Sequence, residues 1–299
     1  MALTDLSRCS AAARHRGEPL AGTAPVASRW LLIEHPGPWA KQPLETPPML
    51  GRVGQEIEAT CASFGGRTLL IRRQGRRAAE HGDPQWFAVD TVRGTRTRGT
   101  WRKAEDLLAA ARSLGVELSS CDEDADPMYL VCTQGTRDAC CAVRGRPIAA
   151  GLDRRWPDEV WECTHLGGHR FAGTMLVLPE GVCYGNLDAP VVPSLLEAHR
   201  AGVVEGRYLR GVTRWEAPVQ AAVACVLREY GPAGLADVSP NQVSTDEESG
   251  TSVVEVIGRG PVPELVRVEV RTEEQTDAAL SCGGGPKTAV LHHATILGG

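Results

Sequence analysis

Short apolar runs that alternate with helical segments most constrain what this chain can fold into. In the first half, apolar runs bounded by turn residues predict strands, and the segments that follow them carry helical patterns. Strands that alternate with helices are typical of α/β folds. The predicted strands are Trp30–Glu34, Leu69–Arg72 and Phe87–Asp90, and the predicted helices are a weak one within 41–63 and a stronger one over 102–114, ended by Gly115.

The second half repeats nearly the same order. Pro147 sits where the first turn of a helix tolerates proline, so a helix is predicted from there to about Arg155, after a polar loop from Cys132 to Arg146. Two copies of a thioredoxin-like α/β unit would explain the parallel. The other predicted elements are strands at Met128–Val131, Val160–Cys163, Thr174–Leu178 and Val182–Leu187, and a closing helix at Pro190–Gly202.

The acidic stretch Asp122–Asp126 predicts a domain boundary. The chain then divides into an N-terminal α/β domain (1–124), a second α/β domain (125–206) and a small α+β C-terminal extension (207–299). The N-terminal domain lacks a cluster of cysteine and histidine in its sequence, which favours a scaffold or docking role. In the extension we predict a helix at Pro218–Tyr230, a polar loop at Ser244–Gly250, and strands at Ser252–Ile257 and Leu265–Arg271.

Two polar motifs are interpreted as structural features rather than as binding sites. Residues 282–288 (CGGGPKT) lack the spacing of a phosphate-binding loop, so they predict a flexible turn. The cluster of Arg72, Arg73, Arg76 and Arg77 predicts a solvated hairpin tip.

Composition excludes several classes of function. The net charge of -5 gives no general attraction to nucleic acid. The longest apolar run, Ala221–Leu227, is far shorter than the roughly twenty residues of a membrane span. The N-terminus has no apolar core of a secretory signal, so we expect a cytoplasmic protein. Its ten cysteines are then expected to be free thiols or metal ligands.

One region concentrates side chains that bind metals. Four cysteines lie between Cys132 and Cys163, and His165 and His169 flank the pair Gly167–Gly168. Thiolate and imidazole are ligands for zinc or iron. Loops at the strand ends of an α/β sheet gather into one site, so Cys132, the loop cysteines Cys140 and Cys141, and His165 are expected to meet there. Gly167 and Gly168 allow tight turning that would bring both imidazoles to one point, whereas Cys163 and Cys183, within strands, are expected to be small buried residues.

Two long segments carry a family resemblance. VCTQGTRDACCAVRGRP and VWECTHLGGHRFAGTMLVLPEGVCYGNL closely resemble the sucrase/ferredoxin-like family, and LAGTAPVASRWLLIEHPGPW with TLLIRR extends the match over roughly residues 9–205. The resemblance implies a thioredoxin-like ferredoxin domain that holds a [2Fe-2S] cluster. In a fungal member, the ligands are two cysteines nine apart and two histidines four apart, which here selects Cys132, Cys141, His165 and His169. Cys140 could substitute for Cys141.

These ligands would make the protein a carrier of single electrons. Two neutral imidazoles in place of two thiolates raise the reduction potential, and an imidazole that gains or loses a proton couples electron transfer to pH. Arg137 and Asp138 are expected to orient the loop or to donate hydrogen bonds to sulfur, or else to form a simple turn-stabilising ion pair. The expected partner is an unidentified reductase or acceptor, with the oligomeric state open and a homo-oligomer included. Sucrase activity is not expected.

Two alternatives remain open from the residues. A Cys2His2 set also suits structural zinc, which would fix the fold of an interaction module. The vicinal pair Cys140–Cys141 could instead serve a thiol-based enzyme, although the chain has no CxxC motif.

Overall fold

The computed structural model describes residues 7–76, 82–115, 126–246 and 248–298. The chain forms two compact units. The central unit comprises Ala27–Leu166 and Met175–Gly181, and the terminal unit comprises Met1–Val26, Gly167–Thr174 and Val182–Gly299. In chain order the elements are α1 (Cys9–Arg16), β1 (Arg29–Glu34), α2 (Arg52–Ser63), β2 (Gly66–Arg72), β3 (Gln85–Asp90), β4 (Thr95–Thr100), α3 (Asp106–Ser113), β5 (Met128–Cys132), α4 (Ala139–Asp153), β6 (Val160–Cys163), β7 (Met175–Leu178), β8 (Val182–Tyr184), α5 (Val192–Arg200), β9 (Leu209–Val212), α6 (Ala217–Glu229), β10 (Val238–Asp246), β11 (Thr251–Gly258), β12 (Leu265–Ala278) and β13 (Lys287–Leu297).

The central unit is built on one mixed sheet in the order β4-β3-β1-β2-β6-β5-β7. Strand β1 pairs in parallel with β2 and antiparallel with β3, and β5 pairs in parallel with β6 and antiparallel with β7. The two halves therefore share one local topology. They join where β2 and β6 pair antiparallel, through Ile71 opposite Cys163 and Arg72 opposite Glu162. This arrangement confirms the predicted α/β class and is compatible with a thioredoxin-like arrangement.

Buried helix faces close the core of the first half. The buried residues of α2 recur at 54, 57 and 61, and those of α3 at 107, 110 and 111, which is the period of an amphipathic helix. Ile57 and Leu107 pack in one cluster with Leu31, Ile33 and Leu70 of the sheet.

The terminal unit contains the antiparallel pair β8–β9 and a four-stranded antiparallel sheet in the order β10-β11-β12-β13. Alternate residues of β11 and β12 are buried, with Val254 opposite Val268 and Val256 opposite Val266. Helix α6 packs against this sheet, and the apolar run Ala221–Leu227 is buried throughout. In the part of the chain described, none of the helices combines the length and apolarity that crossing a bilayer needs.

The predicted loop over Cys132–Arg146 is wrong. Helix α4 begins at Ala139, eight residues before Pro147, because Asp138 accepts a hydrogen bond from the backbone N–H of Cys140 and caps the helix. Pro147 therefore lies inside the helix, and Cys140 and Cys141 lie in its first turn rather than in a loop.

The terminal strands were also predicted incompletely. Helix α1 and strands β4, β9, β10 and β13 were not predicted, and β10 occupies the predicted loop Ser244–Gly250 as far as Asp246. The side chains of β10 are mostly exposed, so this strand lacks the alternation that sequence patterns detect. The strand predicted to reach Leu187 ends at Tyr184.

The prediction that the arginine cluster forms a solvated hairpin tip is wrong for Arg72, which is buried. Its Nε lies 2.7 Å from Glu162 Oε2, and each side chain is 6% exposed. The neighbouring Arg73 packs over the ring of Trp161. Arg77 lies outside the described residues, as does most of the proposed boundary at Asp122–Asp126. The division at 124 and 206 stays a prediction, since compactness alone does not test which segments fold independently.

Candidate metal centre

Three predicted ligands meet at one edge of the central sheet. Cys132 is the last residue of β5, and His165 follows β6 by two residues. Because β5 and β6 are parallel, with Cys132 in register with Cys163, their carboxyl ends lie side by side. Cys141 reaches the same place from the first turn of α4. The structure thus brings Cys132, Cys141 and His165 together, as the predicted topology requires.

The three side chains lie close enough to bind one metal centre. One ligand atom of each, the two Sγ atoms and an imidazole nitrogen, lie within 4.8 Å of one another. The Sγ of Cys141 is 3.7 Å from Nδ1 of His165. Both cysteines are buried, whereas His165 is half-buried. A centre here would contact solvent through the histidine and be shielded on its thiolate side.

The two thiols interact so strongly that they ionise in sequence. A hydrogen bond from the Cys141 thiol lowers the pKa of Cys132 well below its ordinary value against the effect of burial, and His165 and the N–H of Leu166 add to this shift. The same hydrogen bond, together with burial, raises the pKa of Cys141. The pair therefore favours one thiolate and one thiol, and thiolate is the form that binds metals.

Close backbone packing holds the cysteines in place. Helix α4 approaches the end of β5 at Gly145, where an added Cβ would lie 2.0 Å from the carbonyl oxygen of Cys132. A glycine is thus required at this point. Asp138, predicted to orient the loop, caps the helix that carries Cys141.

Gln134 holds His165. Its Oε1 accepts a hydrogen bond of 2.9 Å from the backbone N–H of His165, and its Nε2 donates to the carbonyl of Ala40 at 2.6 Å. The side chain is 1% exposed. Sequence reasoning did not single out Gln134, because one glutamine in a predicted polar loop has no distinguishing pattern.

A cavity of about 750 Å³ within the central unit is lined by one of the three residues, His165. His165 and the half-buried Arg137 contribute to its wall, with residues of 41–45 and 50–68. Arg137 and His165 thus share one cavity wall, and the predicted hydrogen bond from Arg137 to sulfur stays a prediction.

The fourth predicted ligand, His169, belongs to the terminal unit, where it begins the 3-10 turn His169–Phe171. Gly167 and Gly168 both have positive φ, 75° and 61°, as expected for a tight turn. Buried Arg210 anchors this turn, since its Nη1 donates to the carbonyl of Gly167 at 3.1 Å and its Nη2 donates to that of Thr23. An added Cβ at Gly168 would lie 2.5 Å from Arg210 Nη2. The contacts of Arg210 thus fix the conformation of the turn. The role of His169 as a ligand stays a prediction.

Comparison with known proteins identifies the family. A family model described as sucrase/ferredoxin-like matches residues 20–211, nearly two thirds of the chain. The chain belongs to the sucrase/ferredoxin-like family. No curated protein and no solved structure matches it.

The match to the sucrase/ferredoxin-like family covers Cys132, Cys141, His165 and His169, together with Arg210 at its end. It stops before α6 and the four-stranded terminal sheet. Arg210, like Gln134, was missed in the sequence, because an arginine in an unpredicted strand looks like an ordinary surface residue. Cys163 and Cys183 are buried within β6 and β8 as expected.

Proposed function

We propose that this sucrase/ferredoxin-like protein carries single electrons on one [2Fe-2S] cluster held by Cys132, Cys141, His165 and His169. The observation that supports this most is the close placement of Cys132, Cys141 and His165, all within 4.8 Å, at the carboxyl ends of two parallel strands. Membership of the sucrase/ferredoxin-like family agrees with this proposal.

The residues present suit such a group chemically. Cys132 is biased toward thiolate, and the N–H of Leu166 hydrogen-bonds to its sulfur. A bound iron would replace the proton that Cys141 retains, so loading is expected to release protons. Cys132 and Cys141 would hold the cluster from the buried side, His165 would hold it from the half-buried side, and His169 is the proposed fourth ligand. When bound, the cluster supplies one-electron redox chemistry.

Charge sets the expected potential. Four thiolates around an oxidised [2Fe-2S] core give a formal charge of about -2, and replacing two by neutral imidazoles gives about zero, so an electron is added more easily. Centres with two histidines span roughly -150 to +300 mV, against about -400 mV for plant-type ferredoxins. We expect a potential in the upper of these ranges. The pH coupling expected of imidazole ligands belongs to this proposal, and the potential measured against pH tests it.

We infer a carrier rather than a stand-alone enzyme. The partner would be a reductase or an acceptor protein that meets the half-buried His165 side. The cavity of about 750 Å³ beside His165 offers room for such an approach. Sucrase activity is not part of the proposal.

The deciding experiment is anaerobic purification followed by an absorption spectrum with iron, sulfide and zinc analysis on one sample. We expect broad bands between roughly 300 and 600 nm with two irons and two sulfides per chain. One zinc and a colourless protein would overturn the proposal and identify a structural zinc module.

Matched variants then test the ligands. Cys141→Ser should lose iron and sulfide, whereas Cys140→Ser, its neighbour on the same helix turn, should keep them. If Cys140→Ser loses iron and sulfide and Cys141→Ser keeps them, the ligand is Cys140 instead of Cys141. His165→Ala and His169→Ala should each alter the spectrum, and an unchanged His169→Ala spectrum would remove His169 from the ligand set.

A further inference from the structure

A second cavity lies within the terminal unit. It is formed by helix α6, strand β13, the turn at 206–209 and the segment Gly17–Ala21, and its volume is about 390 Å³. That size is within the usual range of small-molecule sites, roughly 300–1,000 Å³. Most of the residues that form it lie outside the segment that defines the family.

The wall of this cavity carries basic side chains. Arg207, Arg228, His292 and His293 line it, and none of the described residues that line it is an aspartate or a glutamate. The whole chain has 37 acidic residues against 32 lysines and arginines. A cavity without carboxylates is therefore a local departure from the charge of the chain, and it favours an anionic occupant.

Both arginines are available to a ligand. Arg207 packs over the ring of Tyr208, with its Cζ 4.7 Å from the centroid. Arg228 Nη2 lies 4.0 Å from the Sγ of Cys225 in the cavity wall. Within the described residues, neither guanidinium has a carboxylate at ion-pair distance. A guanidinium has five N–H donors arranged to bind carboxylate or phosphate in pairs, and a contact to one sulfur leaves most of them for another acceptor.

Two histidines add hydrogen-bonding groups to the wall. The Nδ1 of His292 is 3.1 Å from Thr272 Oγ1, and the ring packs against Gly22, where an added Cβ would be 2.7 Å from Cδ2. The Nε2 of His293 is buried without a hydrogen-bond partner among the described residues, with Glu273 Oε2 3.6 Å away. Because that atom is buried and lies beside Glu273, the two arginines rather than this imidazole are the groups that would hold an anion.

A metal ion fits this cavity less well than an anion. Cys225, His292 and His293 all line it, but in the part of the chain described their ligand atoms do not come within 4.8 Å of one another as a set. The two guanidinium groups would also repel a cation. Cys225 donates to the carbonyl of Ala294, and burial raises the pKa of its thiol, so it is not an anionic ligand.

We propose that this cavity binds a small molecule through a phosphate or carboxylate group held by Arg207 and Arg228. The remainder of the ligand would lie against the apolar part of the wall formed by Leu20, Leu209 and Ala221. This site is separate from the proposed metal centre, and its test does not depend on iron.

Isothermal titration calorimetry of the purified 299-residue chain tests the proposal, with inorganic phosphate and malonate as probes at constant ionic strength in chloride. We expect saturable binding of at least one probe at one site per chain. Binding of phosphate alone assigns a phosphate-bearing ligand, and binding of malonate alone assigns a carboxylate. The double variant R207Q/R228Q should weaken the binding at least tenfold.

The matched control R259Q/R271Q removes the same charge from two exposed arginines of the same unit. Its affinity should stay within twofold of the parent, and far-UV circular dichroism should show all three proteins folded. No saturable binding of either probe would overturn the proposal. Equal weakening in both double variants would overturn it too, because the binding would then reflect only overall charge.

Discussion

Gly145→Ala is expected to disturb the end of β5 that carries Cys132. The added Cβ would meet the Cys132 carbonyl oxygen at 2.0 Å, whereas ordinary contacts begin at 3.4 Å, so helix and strand must separate by about 1.4 Å. The contacted atom belongs to the backbone and cannot rotate away. Overpacking of this kind costs about 1–3 kcal/mol. Alanine in place of glycine inside a helix contributes about 1 kcal/mol in the opposite direction.

Gly151→Ala in the same helix is the matched control, because an added Cβ there meets nothing within 4 Å. Only the propensity gain applies, so this variant should be more stable than the parent by about 0.5–1 kcal/mol. The difference in free energy of unfolding between the two variants isolates the packing cost, and we expect about 1–3 kcal/mol.

Urea unfolding followed by circular dichroism measures both variants, and iron content measures the effect on the site. Gly145→Ala should lose part of its iron while Gly151→Ala keeps the parental content. Equal stabilities and equal iron contents would refute the reasoning, since helix α4 would then not press on Cys132.

Three further predictions concern side chains around the sheet. Arg72→Met leaves Glu162 buried without its partner at 2.7 Å, so unfolding in urea should show a loss of about 3–5 kcal/mol, and the double variant R72M/E162L should recover most of it. A parental stability for Arg72→Met would contradict this. Asp138→Ala removes the cap of α4 and should cost about 0.5–2 kcal/mol, whereas Asp138→Asn should cost less; equal losses would show that the cap is not the cause. Burial alone would raise the pKa of Asp90, but hydrogen bonds, first from the backbone N–H groups of Arg93 and Val92 and then from two guanidinium groups, outweigh it and lower the pKa below 3.8. The stability from this carboxylate is therefore present above about pH 4 and is lost as pH falls, so Asp90→Asn should unfold at acid pH with a shallower dependence than the parent, and an unchanged acid-unfolding profile would contradict the assignment.

The strands that could be predicted from the sequence are the buried ones, because burial requires a run of apolar residues. Strands β1 and β5 are almost wholly buried, so each contains an apolar run, Trp30 to Ile33 in β1 and Met128 to Cys132 in β5, that marks it clearly. Strand β10 has exposed side chains along most of its length and carries no such signal. Its hydrogen bonds to β11 depend on the partner strand, which local sequence does not reveal.

The sequence predicted which residues meet at the candidate site, but it did not predict the local backbone geometry that places them. Cys132 and His165 fall at strand ends, so the topology alone brings them together. The position of Cys141 depends on where α4 begins. Pro147 predicted a late start, and the capping role of Asp138 was not recognised in the sequence. The helix begins at the cap because Asp138 accepts a hydrogen bond from the backbone N–H of Cys140. The free-energy cost of Pro147 inside the helix is offset by the tertiary packing that stabilises α4. Gln134 acts through one backbone N–H, a contact that depends wholly on tertiary structure.

The two halves share a topology, but in the described central unit only the second carries the candidate ligands, because the residues at the strand ends differ. Glu34 ends β1, as Cys132 ends β5, and Arg72 ends β2 just as Cys163 ends β6. In the first half these positions serve structure: Glu34 accepts a hydrogen bond from the backbone N–H of Gln85, and Arg72 pairs with Glu162 across the junction of the halves. In the second half the corresponding strand ends carry a thiol and lead to an imidazole. A charged pair at the junction fixes how the β2 and β6 edges meet, and β6 leads directly to His165. We therefore expect the first half to position the end of β6, and under the proposed function Arg72→Met should change the spectrum of the iron-loaded protein without removing any ligand.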